Sequence, residues 1–163
     1  MNEIKPPVPP PLRSKPKMVP KICGGDYEVA NYIENDPTGT GDPDFLILGD
    51  LNSYAKEDPM AALEAGGYTN LEIAFEGPDG YSYVFGSQAG SLDHSMANAS
   101  LLPQVSGATT WHINADEPSV LDYNVEFKNA NQQTILYNAD QFRTSDHDPL
   151  LIGLNLTPAQ ASI

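Results

Sequence analysis

"FLILGDLNSY", residues 45–54, decides how the chain folds: a short apolar run closes on Gly49 and passes straight into an acidic turn. An uninterrupted run of this kind predicts a central strand covered on both faces. Downstream, "DPMAALEAGG" (58–67) reads as a short helix with Asp58 as N-cap, Pro59 at the first helical position and Gly66 as its stop. Upstream, "DYEVANYIEN" (26–35) predicts another helix, capped by Asp26, with Val29 and Ile33 one turn apart on one face. "DPTGTGDPD" (36–44) then breaks it with prolines and glycines. Further short strands are predicted at 81–85 (YSYVF), 91–97 (SLDHSMA) and 109–113 (TTWHI). The last strand, "LLIGLNL" (150–156), alternates, with Leu150, Ile152, Leu154 and Leu156 on one side. About five strands and two small helices make a layered α/β domain of the α+β kind, with no internal repeat.

Composition narrows the function classes. The chain has 163 residues, 15 of them proline and 13 glycine, which suits short strands joined by many turns better than a helical bundle. Its formal charge of −14, from 22 acidic against 8 basic residues, repels nucleic acid and anionic membranes at long range. A phosphate-ester substrate would therefore need a metal to offset that field. The single cysteine, Cys23, excludes an internal disulfide framework and leaves the redox compartment undecided. No run approaches the roughly 18 apolar residues of a membrane span. Residues 1–25 hold seven prolines and five Lys or Arg, and read as an extended, poorly ordered leader without a recognisable secretion signal. The expected organisation is this leader, a domain over 26–157 and a tail over 158–163.

Three polar clusters fall at strand ends. "GDLN" puts Asp50 and Asn52 two residues apart, on one side if the chain stays extended. "SLDHSM" sets Asp93 in or beside a strand between apolar Leu92 and Met96, and "SDHD" supplies Asp146 and His147 at the mouth of the last strand. Each cluster alone is as well read as a turn or as a satisfied polar group. Together they furnish what phosphodiester hydrolysis requires. Carboxylates bind a hard cation such as Mg²⁺, which leaves room for water and phosphate oxygens. An imidazole backed by a carboxylate has a fixed tautomer and moves a proton or holds a phosphate oxygen. An amide such as Asn52 donates a hydrogen bond without adding charge.

In their order and spacing, "FLILGDLNSYAKEDPMAALEAGGY", "YSYVFGSQAGSLDHSMAN", "NADEPSVLDYNVEFK" and "FRTSDHDPLLIGLNL" resemble the C-terminal half of the endonuclease/exonuclease/phosphatase family, especially its large secreted bacterial nucleases. The resemblance runs from about Glu28 to Leu156. It implies half of a four-layered α/β sandwich, with a mixed sheet flanked by short helices. It also implies hydrolysis of DNA or RNA with Mg²⁺ or Mn²⁺, Ca²⁺ being a further candidate, and an extracellular setting. By position, Asp50 would handle the attacking water near the metal and Asn52 would hold the scissile phosphate. His147 would act as general base or phosphate ligand, Asp93 would orient it, and Asp146 together with Asp50 would bind metal.

The chain also departs from that family. Nothing before Asp50 resembles the motifs of the family's first half, which supplies the principal metal-binding glutamate; upstream there are only Glu3, Glu28 and Glu34. A sheet face meant for a missing half would stay exposed, at about 25 cal/mol for each Å² not buried. A few hundred Å² would take a large share of the roughly 5–15 kcal/mol that holds a domain together. Self-association or a separate N-terminal half-domain is the expected remedy. Two other readings stay open: a catalytically silent half-domain serving as an interaction module, and a phosphodiesterase or phosphatase for phospholipid or inositol-phosphate head groups.

The remaining polar residues have plainer readings. His94 should face away from Asp93 in a structural role, His112 should pack beside Trp111, and Asp148 before Pro149 is a turn residue. Asp36, Asp42 and Asp44 suggest a calcium loop, but Ile47 stands where its bidentate glutamate belongs. Tyr81 and Tyr83 read first as cross-strand packing and second as base-stacking groups.

Overall fold

The computed structural model describes residues 26–121, 124–126, 128–136 and 140–157, so the expected leader and tail and the Asp26 cap lie outside the described residues. The first half runs α1 (Asp26–Glu34), β1 (Leu46–Asp50), α2 (Asp58–Ala65), β2 (Tyr68–Asn70), α3 (Leu71–Phe75), β3 (Tyr83–Phe85) and β4 (Gln88–Gly90). The second half runs β5 (Asp93–Asn98), β6 (Val105–Thr110), α4 (Ala130–Ile135) and β7 (Leu150–Leu154), with single 3₁₀ turns at Leu102–Gln104 and Ser119–Leu121. The fold is α+β. Every described strand pairing is antiparallel, where the resemblance implied a mixed sheet.

Strands β1, β5 and β2 form one sheet in that order, and its two faces carry different cores. On one face Ile47, Met96 and Tyr68 pack with Met60 and Leu63 of α2, while Ala30 and Ile33 of α1 close the edge. On the other, Ala97 and Leu71 pack with Leu101 and Ala108, and Leu46 and Ile152 join them beneath the β6–β7 hairpin. Helices, sheet and hairpin thus stack as three layers. Strand β5, with its "SMA" centre wholly buried, occupies the middle position that "FLILG" was expected to take. Strand β1 lies at the edge of this sheet among the described residues, and Leu48 is 54% exposed on its uncovered stretch.

Local boundaries differ from expectation for identifiable reasons. Helix α2 is capped by Glu57 rather than Asp58; no side chain closes the cap, because the Glu57 carboxylate accepts the Tyr54 N–H instead. In α1 the inward face is Ala30 and Ile33, and Val29 is exposed. Strand β6 ends at Thr110 instead of reaching Ile113, since the amides of Ile113, Asn114 and Ala115 all donate to one oxygen of Asp148. In the last strand Leu150 and Ile152 turn inward as predicted, but Leu154 and Leu156 are exposed. No described helix is long and apolar enough to cross a membrane.

Candidate functional site

The β1–β5 register builds the site. Leu46 lies opposite Ala97, Leu48 opposite Ser95 and Asp50 opposite Asp93, so one face of the pair passes from apolar packing to two facing carboxylates within five residues. Halfway along, buried Glu72 of α3 receives the N–H and hydroxyl of Ser95, which anchors β5 just before its acidic end. Like charges directly opposite on neighbouring strands repel. They persist here because other groups meet them.

The Asp50 carboxylate accepts the Asn52 backbone N–H at 2.8 Å and the Asn52 side-chain amide at 3.2 Å. Extended geometry does not bring the two together: Asn52 is left-handed, with φ 51°, a conformation that asparagine tolerates better than most residues. The expected neighbourhood of Asp50 and Asn52 is therefore present, by a turn rather than by strand alternation. Asp93 is fixed from below by Ser82, which is fully buried. The Ser82 hydroxyl accepts the N–H groups of Leu92 and Asp93 and donates to Asp93 Oδ2 at 2.7 Å.

His147 arrives from 54 residues away and donates from Nδ1 to the same Asp93 oxygen at 2.6 Å. A backbone bridge to Tyr83 and the Tyr83 ring, 4.6 Å away centroid to centroid, hold the imidazole in place. With Nδ1 committed to a carboxylate, the tautomer is set and Nε2 is the nitrogen left for chemistry. Asp50, Asp93 and His147 each offer a ligand atom within 4.8 Å of the others. Asp146, expected beside Asp50 at the metal, is partly buried and is not a member of this grouping. Asp93, read as an orienting group alone, is.

Two plainer readings need correction, and one stands. Asp148 is no simple turn residue: it is 1% exposed, Oδ1 accepts three backbone N–H groups, and Oδ2 accepts Nδ1 of His112 at 2.8 Å. His112 does not merely pack beside Trp111; it stacks on Tyr81 with ring centroids 4.3 Å apart and completes a second histidine–aspartate pair. The signal for this pair is faint in the sequence, since an aspartate before proline looks like any turn. Asn114, also missed, ties the segment down by donating to His147 O and accepting the Thr144 N–H. His94 is buried as expected, bonded to Ser53 O and the Asn70 amide. Asp36, proposed for calcium, is occupied by the Gly41 N–H above all and by the Thr38 hydroxyl, and these hold its carboxyl below the usual range.

The donor set suits a hard cation. Two carboxylates and one imidazole leave several positions for water and phosphate oxygens, as Mg²⁺ prefers. Asp93 Oδ1 has no hydrogen bond and the Asp50 side chain lies at an exposed strand end, so an oxygen from each is free to coordinate. Comparison of the chain with protein-family models, with curated proteins and with solved structures finds no match.

Proposed function

We propose that this chain carries a divalent-metal-dependent phosphodiesterase centre acting on nucleic acid. The observation that supports it most is the meeting of Asp50, Asp93 and His147, from three separate strand ends, within 4.8 Å. In the proposed reaction water attacks phosphorus and the bond to the leaving oxygen breaks opposite it. The water proton passes to the Asp50 carboxylate, and the leaving oxygen takes a proton from solvent. Asn52 holds the phosphate through its amide. His147 Nε2 binds a non-bridging oxygen, and Asp93 keeps the ring turned for that task. Bound metal, held by Asp50 and Asp93 with His147 adjacent, would neutralise phosphate charge and acidify the attacking water. Such neutralisation is needed in a chain of charge −14.

The test is plasmid nicking by the purified chain with Mg²⁺ or Mn²⁺. Removing metal with a chelator should stop cleavage, and His147→Ala should lower the rate by about 10²–10⁴-fold, the usual contribution of a positioned acid–base group. Undiminished cleavage by that variant rules the assignment out. A second reading, a silent half-domain that docks on a partner, is favoured by exposed Leu48, Leu151, Leu154 and Leu156. Metal binding without turnover at any concentration would select it.

A further inference from the structure

We propose that His112 is a second phosphate-binding group, which holds a neighbouring phosphate of the substrate strand and makes a polynucleotide, with its phosphates in series, the preferred substrate. This rests on the phosphodiesterase reading of the His147 site. The argument begins from how the two histidines are mounted. Each gives Nδ1 to a carboxylate, 2.6 Å for His147 and 2.8 Å for His112, and each lies against a tyrosine ring. The mounts are nearly contiguous. Tyr81 and Tyr83 are two residues apart, which limits their Cα separation to about 7 Å, and the carboxylate behind His112 belongs to the residue next to His147. Ser82 lies between the tyrosines and joins the two: its hydroxyl serves Asp93 and its carbonyl accepts the Asp148 N–H at 2.7 Å.

The chemistry of His112 suits an anion. Its side chain is 39% exposed, and its one hydrogen bond is to Asp148, so Nε2 faces no competing partner. The supporting carboxylate is fully buried beneath the ring and saturated by three backbone amides. Its charge therefore favours the donor form of the imidazole while remaining hidden from a phosphate. A surface imidazole used only for packing has no need of a buried carboxylate that strips a strand of three amides. Two such mounts in series match consecutive phosphates along one nucleic-acid strand better than a head group with a single ester.

Steady-state kinetics on the full chain with two substrates, an oligodeoxynucleotide and bis(p-nitrophenyl) phosphate, provides the test. His112→Asn keeps a donor for Asp148 but has none at the Nε2 position, whereas His112→Gln restores one there. His112→Asn should raise KM for the oligonucleotide about tenfold, as expected for one lost hydrogen bond to a charged group, with kcat little changed. Hydrolysis of the small diester should be unaffected, and His112→Gln should recover part of the oligonucleotide affinity. Equal effects on both substrates, or none on either, overturn the proposal. Imidazole NMR in metal-free buffer decides the matter independently of turnover: the His112 resonance should move with a phosphorothioate oligonucleotide. A resonance indifferent to that probe, or moved only by an inositol polyphosphate, also overturns it. Absence of cleavage of either substrate by the unmodified chain counts against the phosphodiesterase reading, and the NMR result still decides for or against His112.

Discussion

The two histidine–aspartate pairs use the same bond in opposite ways. In the first, Asp93 is 14% exposed, takes one hydroxyl and one imidazole on a single oxygen, and keeps its other oxygen unbonded. In the second, Asp148 is fully buried and both oxygens are spoken for, three of the four bonds going to the backbone. A carboxylate with spare valence at a surface is equipped for a ligand; one saturated by main-chain amides holds the chain in shape. The comparison teaches that a histidine–carboxylate pair does not announce its role. What lies behind the carboxylate does.

Substitutions test that division, beginning with the largest effect. Asp148→Ala strands three buried donors at about 1–3 kcal/mol each, so urea unfolding should show a loss on the order of 4 kcal/mol. A loss under about 1 kcal/mol would mean that Asn114 alone secures the 111–115 segment, and the contrast with Asp93 would disappear. Asp93→Asn should instead keep most of the stability and lower hydrolysis by about 10–100-fold, the usual cost of removing a group that orients an active imidazole. If it unfolds the chain as readily as Asp148→Ala, both carboxylates are structural. Ser82→Ala should cost about 1–2 kcal/mol and also slow hydrolysis, because its hydroxyl touches Asp93 while its carbonyl, untouched by the change, still holds Asp148. A purely structural Ser82 would leave turnover per folded molecule unaltered.

The smallest effect concerns Tyr81. Its hydroxyl donates to Asp116 at 2.7 Å, and that bond, aided by burial, pushes the phenol up to about 12. Because the folded value is raised above the ordinary 10.0, the interaction stabilises the fold fully below that pH and is lost as pH climbs towards 12. Spectrophotometric titration should find one late phenolate, which Asp116→Asn moves down. No change in that variant would detach Tyr81 from Asp116 and loosen the case for a fixed platform under His112.

What could be read in the sequence depended on how far each signal reached. Continuous or alternating apolar runs located β1, β5 and β7, and the proline–glycine punctuation located α2, because those signals are local. Strand β2 and helix α3 escaped notice: "YTNLEIAF" is too short for either period to declare itself, and α3 is fixed by the Asn70 side chain accepting the Ile73 N–H. Asp50, Asn52, Asp93 and His147 were selected as candidates and do converge. The Asn52 turn was invisible, since a left-handed residue leaves no trace in periodicity. Asp148 and His112 were misjudged because their meaning depends on a partner about 36 residues away, in a stretch where strand pairing had been expected.

The antiparallel register of β1 on β5 has one further consequence. Side chains alternate across a sheet, so a slip of one residue would turn Asp50 towards the α1–α2 layer and leave Asp93 facing Gly49. A cation that needs both carboxylates recognises only the correct alignment. Metal would then act as a proofreader of strand pairing, adding stability to the properly matched sheet in proportion to its free concentration and adding none to the slipped one.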